Sequence, residues 1–294
     1  MKPVPFDYRC PDSVDEALEL LHTHGDDAKV MAGGQSLVPM LNFRVVRPEL
    51  LIDLRRLLEL DFVRERSDGG LTVGAMTRHR VLETSPVVAS RFPVIPEAMQ
   101  HVAHLAIRNR GTAGGSVAHA DPAAELPMLV RLLDGVIIAR SVRGERAVPA
   151  AAFFVGPLST VLESDELLVR IELPGLPPHS WAFEEFARRA GELALAATGV
   201  GLDVIDGRIH AARVAMMGVG DMPLRLEAVE AVLAGQVLSE KSMAVAVQAA
   251  RDSLEPRQDL HASPEYRRHL AGALLERALR RAWARATGPG GVSL

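Results

Sequence analysis

Apolar and polar positions along this chain switch repeatedly between helical and strand spacing, with turn residues at the changes. Over residues 13–24, Leu18, Leu20 and Leu21 make one apolar face. Ser13-Val14-Asp15-Glu16 supplies a capping box ahead of it and Gly25 stops it, so the segment predicts a short helix. Ala28-Lys29-Val30-Met31 reads as a buried strand, and Leu50-Leu51-Ile52-Asp53-Leu54 as a second. Asp68-Gly69 is a hairpin signal ahead of the strand Leu71-Thr72-Val73-Gly74. Residues 93–105 favour a helix that runs on into 107–110. Another is predicted over 122–134, with Pro122 near its first position, Asp121 as its N-cap, and Pro127 imposing a kink or restart. Residues 135–139 and 167–173 read as strands, the second stopping at Pro174.

The breaker-rich stretch Pro174-Gly175-Leu176-Pro177-Pro178 marks the expected domain boundary. Beyond it the order changes. Strands are predicted at 181–189, 194–205 and 208–217, the last two joined by Asp206-Gly207, and helices near 223–234, 239–254 and 264–286. Strands followed by helices predict a compact α+β domain.

Bulk properties narrow the function classes. The 294 residues are 48% apolar and 24% charged, which suits a soluble protein of one large domain or two modest ones. No apolar run is long enough to span a bilayer, and residues 1–7 lack the charged-then-apolar order of a signal peptide, so a cytoplasmic location is expected. The single cysteine, Cys10, excludes an internal disulfide framework and an iron–sulfur cluster held on the chain's own thiolates. A balance of 33 basic against 37 acidic side chains, with only 4% aromatics, argues against a nucleic-acid partner.

The candidate chemistry sits in two glycine loops, Ala32-Gly33-Gly34-Gln35-Ser36 and Thr112-Ala113-Gly114-Gly115-Ser116. Paired glycines permit positive φ and let the main chain approach a bulky anion with no Cβ in the way. Successive N–H groups in such turns form an anion-binding concavity. The first loop lacks G-x-G-x-x-G opening a helix, and no G-x-x-x-x-G-K-[ST] occurs, which disfavours a Rossmann site and excludes a P-loop. Either loop alone reads as a structural turn; the pair reads as two grips on one dinucleotide. Glu125 is a candidate acceptor for ligand hydroxyls. His119 is open between a base, a ligand contact and a packed ring.

His101 with His104, and His22 with His24, lack the company that zinc requires, so no metal site is expected. No catalytic triad order or nucleophile elbow appears. Arg267, Arg268, Arg277, Arg280, Arg281 and Arg285 load the last helix, predicting a solvated basic face or a docking surface for an acidic partner.

Taken together, Ala32-Gly33-Gly34-Gln35-Ser36-Leu37, Arg47-Pro48-Glu49-Leu50-Leu51-Ile52-Asp53-Leu54, residues 107–116 and the run His119-Ala120-Asp121-Pro122-Ala123-Ala124-Glu125-Leu126-Pro127 resemble one family. It is the FAD-binding medium subunit of molybdenum hydroxylases, of the aerobic carbon monoxide dehydrogenase and xanthine dehydrogenase type. Phe153-Phe154-Val155-Gly156-Pro157 and Asp165-Glu166-Leu167-Leu168 also fit, so the resemblance covers nearly the whole chain.

The resemblance implies an α+β fold: an FAD-binding domain of the vanillyl-alcohol-oxidase and p-cresol-methylhydroxylase kind, then a smaller α+β C-terminal domain. The expected limits are 1–175 for the FAD domain (subdomains about 1–55 and 56–175), 179–286 for the C-terminal domain, and a flexible tail at 287–294. The implied cofactor is FAD. Ala32, Gly33, Gly34, Gln35, Ser36 and Leu37, with Thr112, Ala113, Gly114, Gly115 and Ser116, would hold its diphosphate and adjoining parts. His119 belongs to the same motif, Glu125 would lie near the ribityl or ribose, and Val102 and Leu168 resemble apolar flavin neighbours. No catalytic acid or base and no metal ligand is implied.

Two departures stand out. Many relatives read Gly-Asp-aromatic where this chain has Gly191-Glu192-Leu193, and often lysine where Glu185 stands. The implied role is electron transfer. FAD would accept electrons from the [2Fe–2S] clusters of a small partner subunit, fed by a large molybdenum-cofactor subunit, and pass them to an external acceptor. A scaffold subunit of the same fold that no longer binds flavin is the alternative, kept open by Leu193 and Glu185. A self-sufficient flavin oxidase is disfavoured, because no substrate base is visible.

Overall fold

The computed structural model describes residues 1–177 and 179–288; Pro178 and most of the expected tail lie outside the described residues. The first layer is a small parallel sheet. Leu50–Asp53 is its central strand, flanked by Asp7–Arg9 and Ala28–Met31. All four central positions are buried, the near-continuous run expected of a strand covered on both faces. Helix Val14–His24 covers it with Val14, Ala17, Leu18 and Leu21, leaving Leu20 half-buried at the margin. Ser13 accepts the Glu16 N–H as predicted, whereas the Glu16 carboxylate reaches the Asp12 amide, one residue before the cap.

The second layer is a five-stranded antiparallel sheet in the order Val63–Glu65, Leu71–Gly74, Leu167–Leu173, Val136–Ser141, Gly144–Pro149. The Asp68-Gly69 hairpin forms, with Gly69 at φ 83° and the Asp68 carboxylate accepting from the Gly70 amide. One face of this sheet joins the first layer through Ile138, Leu167 and Val169. The other carries Val73, Ile171 and Leu173 against a helical layer that includes Val94–Met99, Ala113–His119 and Glu125–Leu132.

Two helices in this layer differ from their sequence pattern. The run expected from 93 into 107–110 divides into Val94–Met99 and Leu105–Arg108. The break lies at Ala103, whose φ is 42°, and Arg108 donates to the carbonyls of Val102 and Ala103 exposed there. The helix expected over 122–134 begins only at Glu125, so Asp121 is not its N-cap. Asp121 instead accepts from the Ala123 amide in a turn one step earlier. Pro127 falls in the first helical turn, where its missing N–H would have had no helical partner, so it causes no kink.

The third layer is a four-stranded antiparallel sheet: Ser180–Phe186, Ala196–Ile205, Arg208–Met217 and the short edge Leu224–Arg225. Asp206 and Gly207 both take positive φ, as a two-residue type I′ hairpin requires. The helix predicted from 223 starts at Glu227, because Leu224 and Arg225 pair with Met216 and Ala215 as a strand. Helices Glu240–Asp252 and Pro264–Thr287 complete the cover.

The basic residues of the last helix divide: Arg277, Arg280, Arg281 and Arg285 are exposed, as a solvated face requires, whereas Arg267 turns inward. Arg267 is 6% exposed and donates to the carbonyls of Leu195 and Gly218 and to Asp259. Arg281 and Arg285 reach across to Glu97 on the helical layer of the second sheet. The other side of that junction is helix Glu125–Leu132, whose last carbonyls, on Arg131 and Leu132, accept from Arg225, with Arg213 also donating to Leu132. Cations at a helix C-terminus are favoured by its dipole as well as by these bonds. No described helix is long and apolar enough to cross a membrane.

Candidate cofactor site

The first glycine loop leaves strand Ala28–Met31 and turns through residues 32–36 into the short helix Leu37–Asn42. Gly34 takes φ 73°, and the Gln35 side-chain amide donates to the Gly33 carbonyl at 2.9 Å, holding the turn open. Among the described residues, the amides of Gly33, Gly34, Gln35 and Ser36 donate to no protein acceptor. Of these four residues only Gly33 is buried, so the run of N–H groups opens outward and stands free for an anion. They border a cleft of about 400 Å³ whose rim carries Arg55, Arg78 and Arg110.

The second loop is built differently. Thr112 caps helix Ala113–His119 by accepting from the Gly115 amide at 3.1 Å. The Ala113 amide donates to Thr77, that of Gly114 to Ala75, and that of Ser116 to Thr112. The expected anion nest of this motif is therefore not present: its amides are spent on the 75–77 segment and on starting a helix. Its glycines serve close packing instead. A methyl on Gly114 would stand 2.6 Å from the Ala75 methyl, and one on Gly115 would be 3.4 Å from that of Ala32. A methyl on Gly33 would overlap the Arg110 carbonyl. The two motifs thus meet, the second forming a wall against which the first is laid.

Further residues fix this junction. His79 is buried, with Nε2 3.0 Å from the Thr112 carbonyl and Nδ1 unpartnered. Burial pushes its pKa down to about 4, so the ring is neutral and donates through Nε2. Arg78 donates to the Arg110 carbonyl. Asp53, 3% exposed, accepts from the Arg55 amide at 3.0 Å and the Tyr8 hydroxyl at 2.7 Å. Arg55, Arg78 and His79 escaped the sequence reading, and Arg110 entered it only within the run 107–116; they come from separate segments, His79 opening the helix His79–Thr84, and only the tertiary fold brings them together.

The remaining candidates lie farther along. Leu168 is 4% exposed in the same apolar core as Ala113 and Val117, and Val102 packs half-buried on that core. His119 is half-buried at the end of its helix, ahead of Ala120 at φ 52°. Glu125 opens helix Glu125–Leu132, and burial, with the nearby Asp121 charge adding, raises its pKa to about 7. Leu193 is 66% exposed. Gly191, at φ 80°, packs directly on the His104 ring, which ties the loop before strand Ala196–Ile205 to the 100–104 turn.

Comparison with known proteins decides the family. Residues 4–176 match the model of the FAD binding domain in molybdopterin dehydrogenase, and residues 181–282 that of the CO dehydrogenase flavoprotein C-terminal domain. The chain belongs to the FAD-binding medium subunits of molybdenum hydroxylases. It is 44% identical to the 6-hydroxypseudooxynicotine dehydrogenase complex subunit alpha of Paenarthrobacter nicotinovorans, over 97% of each chain. A chain of quinoline 2-oxidoreductase from Pseudomonas putida 86 superposes with a TM-score of 0.93 at 42% identity, covering 97% of this chain and 99% of that one. A chain of carbon monoxide dehydrogenase from Hydrogenophaga pseudoflava gives 0.94 at 39% identity, with the same coverage.

The medium subunit's own residues fit the cofactor of its family. FAD carries a diphosphate, and the cleft offers free amides, three guanidinium groups and a main chain bare of Cβ atoms. That donor set suits a doubly anionic group approached along the backbone.

Proposed function

We propose that this medium subunit is the flavoprotein electron-transfer component of a molybdenum hydroxylase. Electrons would come from [2Fe–2S] clusters on a small partner subunit, supplied by a large molybdenum-cofactor subunit, and leave to an external acceptor in the cytoplasm. In this reading residues 1–175 form the FAD domain and 179–286 the C-terminal domain. Relatives named as dehydrogenase complex subunits and medium chains support the assignment.

When bound, FAD supplies the redox chemistry; the protein contributes binding, orientation and electrostatics. The amides of residues 33–36 hold the diphosphate, and Arg55, Arg78 and Arg110 offset its charge. Ala32 and Leu37 flank that grip. Thr112, Ala113, Gly114, Gly115 and Ser116 supply the wall that presses it into place. His119 and Glu125 meet the polar parts beyond the diphosphate. Val102 and Leu168, both part of the apolar core there, supply apolar packing beside the flavin. No general acid or base from this chain is needed to relay electrons.

The observation that carries the proposal is the run of four undonated amides facing an arginine-rimmed cleft. Titration of the full chain with FAD, followed by flavin fluorescence, is expected to saturate at one equivalent. A folded chain with no saturable binding would leave only the scaffold role.

A further inference from the structure

Glu185 closes the inner face of strand Ser180–Phe186, in line with Trp181 and Phe183, which are core residues. Its side chain is 4% exposed, and Oε2 has no hydrogen-bond partner. Helix Glu125–Leu132 lies on the same sheet face. A methyl on Gly199 would stand 2.7 Å from Leu132 and 3.4 Å from Met128. Ala197, two residues back from Gly199, pairs with Glu185, and Glu125 lies one helical turn back from Met128. The Pro122 carbonyl, accepting from the Gly218 amide at 2.8 Å, pins this end. Glu125 and Glu185 are thereby set at the same end of this helix–sheet junction, where the Glu125 charge acts on the Glu185 carboxyl.

No lysine or arginine among the described residues neutralises them. From the 100–104 turn, His101 Nδ1 stands 3.9 Å from Glu185 Oε1. From the 121–124 turn, Asp121 adds a like charge beside Glu125. Glu97 is engaged by Arg281 and Arg285, while Glu184, on the opposite sheet face, is engaged by Arg277 and Arg281. Ala197 and Thr198 on the central strand carry no titratable group. Two buried carboxyls without a cation cannot both ionise readily, so one keeps its proton and becomes a donor.

The pair also sits in a telling place. Helix Ala113–His119, about 10 Å long, leads from the glycine junction to the turn before Glu125. On the FAD reading, one half of a dinucleotide gripped by its diphosphate at residues 33–36 would run along this helix toward Glu125.

We propose that Glu125 and Glu185 share one proton and present it as a hydrogen-bond donor to an acceptor atom on the flavin half of bound FAD. The inference rests on the FAD reading above. If both carboxyls ionise at high pH, FAD can bind only with uptake of a proton, so affinity falls as pH rises.

The test is FAD binding to the full chain between pH 6 and 9, with calorimetry in buffers of different ionisation enthalpy to count protons. The wild type is expected to lose about tenfold or more in affinity across this range and to take up a proton at the alkaline end. Glu185→Gln keeps an N–H donor but cannot ionise; its profile is expected to stay flat, with no proton uptake. Glu125→Gln removes the neighbouring charge and is expected to move the wild-type midpoint to lower pH. A flat wild-type profile without proton uptake, a Glu185→Gln profile that matches wild type, or an unmoved Glu125→Gln midpoint would overturn the proton-sharing pair while leaving FAD binding intact. Absence of FAD binding by folded wild type at every pH would overturn the flavin assignment itself.

Discussion

Gly33 lies so close to Arg110 that any Cβ on the glycine would overlap the arginine carbonyl oxygen. The overlap is with main chain, so no side-chain rotation relieves it. Gly33→Ala should therefore force the two loops apart and splay the free amides of residues 33–36. Purified Gly33→Ala is expected to carry less than a tenth of the wild-type flavin, read from visible absorbance, with far-ultraviolet circular dichroism nearly unchanged. Full flavin content would show that the junction does not form the site.

Arg110 is exposed on the cleft rim, and its carbonyl, not its side chain, serves the loop junction. Arg110→Ala should leave the fold intact and weaken FAD binding by about tenfold, the scale of one charge-assisted hydrogen bond. The salt dependence of FAD affinity should also become shallower, since one screened charge is gone. Titrations at low and high ionic strength test both effects.

His79 couples stability to pH. Its folded pKa is pushed down to about 4 by burial, below the ordinary histidine value near 6.5. Below that ordinary value the unfolded chain takes up a proton that the folded chain refuses. Stability from this site is thus full above about pH 6.5 and drains as pH falls toward 4. The drop should reach about 3 kcal/mol. A variant unable to titrate, His79→Gln, should show a shallower decline in urea denaturation between pH 6.5 and 4.5. An unchanged slope would place the acid sensitivity elsewhere.

Arg267 is buried and satisfies two carbonyls, those of Leu195 and Gly218, while pairing with Asp259. Arg267→Leu leaves both carbonyls without this donor, while the Asp259 carboxylate keeps the His261 and Ala262 amides on its other oxygen. Carbonyls left unsatisfied in this way cost about 1–3 kcal/mol each, which denaturant midpoints will resolve. An Arg280→Leu control, on the exposed side of the same helix beside Glu240 and Glu276, should leave the denaturant midpoint nearly unchanged.

Much of this protein is readable from local order. The Ser13 cap with the Gly25 stop, the Asp68-Gly69 hairpin and the Asp206-Gly207 turn all state their geometry within a few residues, because caps and tight turns depend on nearby φ angles and nearby hydrogen bonds. The two glycine motifs were equally visible, and their resemblance to a flavoprotein family led to the right cofactor. Local order misled where a competing partner lay far off in sequence. Leu224 and Arg225 look helical but pair with Ala215 and Met216. The run through Ala103 looks like one helix but breaks where Arg108 claims its carbonyls.

The chain's order of residues determined by itself that two backbone turns would be free of Cβ atoms, that no internal thiolate cluster could form, and which family the molecule joins. Only the tertiary structure decided how the labour is divided between the turns. Both motifs carry amides, but Thr77 and Ala75 consume those of Ala113 and Gly114, and no acceptor among the described residues consumes those of residues 33–36. It also set Arg55, Arg78 and Arg110 around one cleft and brought Glu185 under the influence of the Glu125 charge. Hydrogen-bond satisfaction and burial are properties of neighbours in space, and these neighbours come from segments that share no local pattern.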